Sequence, residues 1–206
     1  AEFKKFFTSN IPLIYSGRIS SGDLVGIPDL LRLEEEGYVA GDIKSGSGEE
    51  GHDDNRRPKK EYAVQLALYT EILNEIGVSS ARHAFVWDIN GDEIKYEFDE
   101  EFGKRDPTTL WNIYEKTLNE LRASISDNSK SSPAYSSICK LCHWRSECMN
   151  VLTENNDLTL IPELGRSNRD TLQPRLNNIQ ELAESDIESF LNGQRTVFPG
   201  IGIKSL

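Results

Sequence analysis

The chain has 206 residues, with 23 Lys and Arg against 34 Asp and Glu, for a net charge of −11. That length allows one good-sized core with an appendage or two compact domains, and no apolar run approaches the ~20 residues needed to cross a bilayer. The acidic balance excludes gripping nucleic acid by bulk charge, so any such surface is local, and the N-terminus lacks the zones of a secretory signal.

Residues 1–12 read as the end of a helix, with Phe3, Phe6 and Phe7 on one side and Asn10 and Pro12 as stops. A chain that starts inside a helix is expected to lack its front. Three β-rich runs follow, Leu13 to Ile19, Leu24 to Leu33 and Tyr38 to Lys44, separated by the turn pairs Ser21-Gly22 and Glu36-Gly37, which predicts a β-meander. Residues 45–60 are polar and Gly-rich, an acidic half (Glu49, Glu50, Asp53, Asp54) preceding a basic one (Arg56, Arg57, Lys59, Lys60), and predict a mobile loop. The basic run either tracks a nucleic-acid backbone or neutralises the acids before it.

Glu61 to Ile76 has the apolar spacing of a buried helix closed by Gly77. His83 to Asp88 and Glu93 to Phe98 are strands flanking Asn90-Gly91, a strong hairpin signal. Asp106-Pro107 predicts the start of a long amphipathic helix to about Ile125, with Asp106 as N-cap. A Ser-rich link over 124–137 leads to Cys139, Cys142 and Cys148, an odd cluster that makes a poor disulfide framework and a reasonable soft-metal site. We therefore expect a reducing, cytoplasmic setting. From about Leu152 short helices take over, and segments 37 residues apart repeat: Ile161-Pro162-Glu163-Leu164-Gly165 matches Phe198-Pro199-Gly200-Ile201-Gly202. Trp87, Trp111 and Trp144 read as packing residues.

An acidic-x-Lys triplet by itself carries little information, and Glu2-Phe3-Lys4 and Glu93-Ile94-Lys95 match it as well as Asp42-Ile43-Lys44 does. The surroundings separate them. In an extended strand Tyr38, Ala40, Asp42 and Lys44 share a face, which sets a carboxylate beside an amine. Gly26-Ile27-Pro28-Asp29 supplies a second acid one strand earlier, in an apolar run where an unpaired carboxylate is costly to bury. Asp29, Asp42 and the Ile43 backbone carbonyl suit a hard divalent cation, Mg²⁺ or Mn²⁺. Lys44 would then orient water and offset charge on a phosphate. The alternative is a polar sheet face in which Lys44 merely pairs with the acids.

Gly26 and Asp29, then Asp42, Lys44 and Gly46, then Gln65 and Tyr69 four apart on one helical face, together resemble the RecB-like branch of the PD-(D/E)XK nucleases. The resemblance implies an α/β, restriction-endonuclease-like fold, a central mixed sheet flanked by helices, over 1–150. It also implies a Mg²⁺- or Mn²⁺-dependent deoxyribonuclease, with Gln65 and Tyr69 supporting the metal site and the DNA strand. Cys139-x2-Cys142-x5-Cys148 resembles the last three ligands of the iron-sulfur, CRISPR-associated-exonuclease-like members, which implies a [4Fe-4S] cluster completed by an upstream cysteine that this chain does not contain. Zinc with His143 as fourth ligand, or unmetallated thiols, are the alternatives. The family also supplies a His or Glu ahead of the strands, where residues 1–22 offer only Glu2.

The repeated turns resemble helix-hairpin-helix motifs, which implies a small all-α domain over 151–206, cut short at its end, contacting DNA phosphates through Gly200, Gly202 and Lys204. Expected overall is an exonuclease of DNA repair, recombination or defence that acts on DNA, with a helicase or further nuclease domain in the same or a partner chain and no membrane association. A catalytically inactive DNA-binding scaffold and a redox or metal-sensing module are the rivals.

Overall fold

The structure is a computed structural model, and it describes residues 4–51, 56–103, 106–126 and 132–203. The chain divides into two compact units, Ala1–Ser126 and Asp127–Leu206.

In the first unit a short helix α1 (Lys4–Thr8) precedes β1 (Leu13–Tyr15), β2 (Ile19–Ser21), β3 (Leu24–Gly26), β4 (Leu30–Glu34) and β5 (Gly37–Ile43). Two of the three expected strands are thus each broken in two. Ser16 takes a left-handed φ of 52° and donates its N–H to the Asp29 carbonyl, 2.8 Å away, while Pro28 has no N–H to give a ladder. The consequence is that β1 pairs with β4, and β2 with β3 stands off as a separate ribbon around Gly22. The meander becomes two interleaved pairings.

The expected loop over 45–60 contains a second ribbon, β6 (Glu49–Glu50) with β7 (Arg57–Pro58); Asp53 and Asp54 lie outside the described residues. Helix α2 (Lys60–Glu75) then crosses to β8 (His83–Trp87), which turns at Gly91 into β9 (Glu93–Glu97). The main sheet has the order β1-β4-β5-β8-β9. Only β5 and β8 are parallel in it, as expected for strands joined through a helix.

Helix α3 (Leu110–Ser126) begins later than Asp106. Thr108 is engaged in a bridge with Phe102, and Thr109 Oγ1 accepts the Asn112 N–H at 3.0 Å, capping the first turn instead. One sheet face carries Leu31, Tyr38, Ala40 and Tyr96 into a shared core with Leu66 and Ile72 of α2. The other face has a smaller cluster of Leu30, Val39, Ala81 and Phe85. A five-stranded mixed sheet with helices against it is consistent with a restriction-endonuclease-like fold.

The second unit has a 3-10 turn at Ser137–Leu141, α4 (Arg145–Glu154), a 3-10 turn at Leu158–Leu160, α5 (Gly165–Leu172), α6 (Ile179–Glu184) and a 3-10 turn at Ile187–Phe190. It is not all-helical, because β10 (Leu191–Asn192) pairs with β11 (Arg195–Thr196) across Gly193, whose φ is 63°. Asn192-Gly193 is the same hairpin signal that joins β8 to β9. Its core is Leu158, Leu172, Leu176, Phe190, Phe198 and Ile201. The two copies of the repeat share a backbone feature, since Glu163 and Gly200, 37 apart, are both left-handed at 66° and 80°. Lys204 lies outside the described residues, and no helix-hairpin-helix domain is established.

Candidate active site

Asp29 immediately precedes β4, and Asp42 is the penultimate residue of β5. The register Leu30↔Gly41 sets the two aspartates opposite one another. The Ile43 N–H donates to Asp29 Oδ2 at 2.8 Å, so strand pairing itself orients the first carboxylate. Gly41, between them on the other face, must be bare, because a Cβ there would run into the Phe85 ring.

Asp42 is 3% exposed. Burial pushes its carboxyl pKa up and the Asp29 carboxyl beside it pushes further, while Lys44 works against both. Its Oδ2 is ion-paired with Lys44 Nζ, yet among the described residues no N–H or O–H donates to that oxygen in hydrogen-bond geometry. Lys44 is thus the cation that compensates this buried carboxylate among the described residues.

Lys44 Nζ also donates to Gln65 Oε1 at 2.8 Å. Gln65 Nε2 in turn donates to the Tyr69 hydroxyl at 2.7 Å, and that hydroxyl lies 3.5 Å from the Ile27 carbonyl, two residues before Asp29. The chain of contacts therefore closes from one strand through the helix to the other. Burial raises the Tyr69 pKa, which keeps the hydroxyl protonated as a donor. Gly26 is part of the same packing, since a Cβ on it would enter the Tyr69 ring. The Ile43 side chain is half-exposed at the strand end.

The competing triplet is consumed elsewhere. Glu93 accepts two 2.8 Å bonds from Arg32, and Lys95 pairs with Glu97. Glu2 lies outside the described residues. Asp88, a buried acid just after β8, is already engaged, accepting the Asn90 and Asp92 N–H groups of the hairpin and the Gly48 N–H. One neighbour of the site drew no attention in sequence, Tyr62, whose ring lies 5.0 Å from Lys44 Nζ; Lys59, singled out only as part of the basic run, lies 5.3 Å from the same ring. The helical spacing 62, 65, 69 was the available signal for Tyr62.

Asp29, Asp42 and the Ile43 carbonyl suit a hard divalent cation, since the donors are all oxygens and the buried Asp42 carboxylate has only Lys44 as a cationic partner among the described residues. Among the described residues, no group of three or more His, Cys, Asp or Glu side chains is placed to hold a metal. Cys139 and Cys148 are part-buried and Cys142 is exposed, all three free; the Ser136 N–H and hydroxyl draw the Cys139 thiol pKa down. Gly200 and Gly202 lie on a cleft formed by residues 194–203. No helix among the described residues is long and apolar enough to cross a membrane.

No curated protein matches the chain. The crystal structure of SSO0001 is similar over 71% of this chain at 16% identity, with a TM-score of 0.35, and the chain spans 65% of that protein. Residues 2–149 match the PD-(D/E)XK nuclease superfamily. With that match covering most of its length and the mixed sheet beneath it, this chain belongs to the PD-(D/E)XK nuclease superfamily.

Proposed function

We propose that this protein is a metal-dependent deoxyribonuclease of the RecB-like branch, with Asp29, Asp42, Lys44, Gln65 and Tyr69 as its working set. The observation that carries the reading is the buried Asp42, facing Asp29 across the strand pair and ion-paired with Lys44. Asp29, Asp42 and the Ile43 carbonyl would hold Mg²⁺ or Mn²⁺, which when bound makes water a better nucleophile and offsets charge on the phosphate. Lys44 donates to a non-bridging phosphate oxygen as charge grows there. Gln65 holds the Lys44 ammonium and Tyr69 holds Gln65, so the amine is oriented before substrate arrives. In the hydrolysis the water oxygen bonds to phosphorus while the bond to the leaving sugar oxygen breaks; the water proton passes to solvent, and solvent protonates the leaving oxygen.

The finer parts of the reading are supported by sequence pattern. The order Gly26, Asp29, Asp42, Lys44, Gln65, Tyr69 supports the RecB-like branch and, through that resemblance, an exonuclease of repair, recombination or defence acting on DNA with a helicase or further nuclease domain; the odd cluster of cysteines supports a reducing, cytoplasmic setting. The family match through residue 149 supports counting the segment to about 150 with the nuclease, and the spacing Cys139-x2-Cys142-x5-Cys148 supports an iron-sulfur cluster with a cysteine supplied from elsewhere. The repeat supports a helix-hairpin-helix-like tail over 151–206 that contacts DNA through Gly200, Gly202 and Lys204. A second reading, an inactive DNA-binding scaffold, is favoured by the presence of only two acids at the site among the described residues.

The test is cleavage of end-labelled single- and double-stranded DNA with Mn²⁺, together with calorimetric titration of Mg²⁺ and Mn²⁺. Lys44→Ala is expected to slow cleavage by about 10²–10³-fold, and Asp42→Ala to abolish the metal-binding heat. Cleavage by Lys44→Ala at the wild-type rate would remove the nuclease reading.

A further inference from the structure

The basic run Arg56 to Lys60 divides in the fold. Arg57 pairs with Glu50 at 2.9 Å, and Arg57 and Lys60 line a cleft with Lys95, Glu97, Glu100 and Glu101, where acids match the bases. Lys59 goes the other way. It is the residue before α2, its N–H donating to the Gly48 carbonyl at 3.2 Å, and its ammonium lies 5.3 Å from the Tyr62 ring centre. The Lys44 ammonium lies 5.0 Å from that same ring. The position a Cβ on Gly46 would occupy is 3.5 Å from the Tyr62 hydroxyl and 3.9 Å from Lys59 Nζ, so the missing side chain leaves a gap bordered by both donors. Among the described residues, Lys59 Nζ forms no ion pair and the Tyr62 hydroxyl no hydrogen bond. In a chain with net charge −11, a half-buried lysine with no ion pair among the described residues, sharing the Tyr62 ring with Lys44, is free to meet an anion.

We propose that Lys59 and Tyr62, across the gap at Gly46, form a second phosphate-binding subsite that takes a nucleic-acid phosphodiester neighbouring the one at Lys44. This rests on the nuclease reading for its substrate class. The Lys59 ammonium and the Tyr62 hydroxyl each donate to a phosphate oxygen, and the tyrosine ring faces both cations, keeping the Lys44 and Lys59 ammonium groups apart and aimed at successive phosphates. The arrangement gives an acidic protein a local basic track where cleavage would occur.

The experiment is fluorescence anisotropy of the full chain with a labelled DNA oligonucleotide, single-stranded and as duplex, in EDTA and in Ca²⁺, across a series of KCl concentrations. Wild type, Lys59→Ala, Lys59→Arg, Tyr62→Phe and Arg57→Ala are compared, each checked for folding by its melt. Lys59→Ala is expected to weaken single-strand binding by about tenfold and to make the log–log salt slope shallower by about 0.7. Lys59→Arg keeps the slope, Tyr62→Phe weakens binding about threefold with the slope unchanged, and Arg57→Ala matches wild type. Equal slopes for wild type and Lys59→Ala would overturn the subsite, as would an equal change from Arg57→Ala, which would mark a diffuse basic surface. Failure of the nuclease reading shows separately, as Lys44→Ala cleaving like wild type. A wild type that binds no DNA overturns the subsite outright.

Discussion

At the residue scale, two glycines explain why the site can close. Gly41 lies under the Phe85 ring and Gly26 under the Tyr69 ring, each without room for a methyl group. Gly26 thus belongs with Tyr69, 43 positions later, through packing, and the tyrosine hydroxyl hands that constraint on to Gln65 and Lys44. Gly26→Ala is expected to cost about 1–3 kcal/mol in stability through overpacking and to lower cleavage about tenfold as the hydrogen-bonded chain shifts. Adding Tyr69→Leu should recover part of the stability and none of the cleavage. Chemical denaturation and the cleavage assay check both halves, and unchanged stability in Gly26→Ala would contradict the close packing.

At the element scale, the second face of the main sheet is covered by its own polar side chains. The Arg32 guanidinium sits 4.0 Å from the centre of the Phe85 ring and bonds both oxygens of Glu93 and Oε1 of Glu34. Trp87 Nε1 adds a bond to Glu93, and His83 meets Glu34. The bonds from Arg32 hold Glu93 below the usual 4.5 against a burial that raises it. For Glu34 burial is the largest influence and raises it, but Arg32 and His83 together outweigh it. Both carboxylates therefore stay ionised in the native state to lower pH than in the unfolded chain. The unfolded chain binds more protons below about pH 4.5, and this stabilisation, full above that value, is lost as pH falls through the lowered native values. Arg32→Met is expected to lower Tm at neutral pH by about 2–4 °C and to flatten the decline between about pH 5 and pH 3. Circular dichroism melts across that range would show it, and an unchanged acid limb would count against the pairings.

The same scale shows why strand boundaries were only half legible. Alternation in Tyr38, Ala40 and Asp42 gives their shared face directly, and Asn90-Gly91 gives the β8–β9 hairpin. The breaks at Ser16 and at Ile27-Pro28-Asp29 depend on which strand becomes the partner, because β1 reaches β4 only by skipping a ribbon. The start of α3 depends likewise on a bridge between Phe102 and Thr108 that no local propensity encodes.

At the scale of the whole molecule, the two cores have no residue in common, one drawing on Phe7 to Tyr114 and the other on Leu158 to Ile201. The second is organised around Arg169, 2% exposed, which bonds the Pro133 carbonyl at 2.5 Å, Asp157 at 3.4 Å and Asp170 at 2.9 Å. Removing one partner from a buried ion pair leaves the other uncompensated, at about 3–5 kcal/mol. Arg169→Ala is expected to lower the melting transition of the second unit alone, while Leu66→Ala, in the first core, lowers only the other. Differential scanning calorimetry separates the two, and a single transition that both variants move together would refute independent cores.

The sequence by itself determined the α/β class of the first unit and which of its site residues share a strand or a helix face. Asp42 and Lys44 share a strand, and Gln65 and Tyr69 share a helix face; such periodicities are local and can be read without a partner. Only the tertiary structure decided that Asp29 stands opposite Asp42, that Gly26 makes room for Tyr69, and that Lys59 turns toward Tyr62 while Arg57 turns to Glu50. Those outcomes depend on strand register and on which charges find each other across the fold. Both are set by packing between segments far apart in the chain, where no local pattern carries the information.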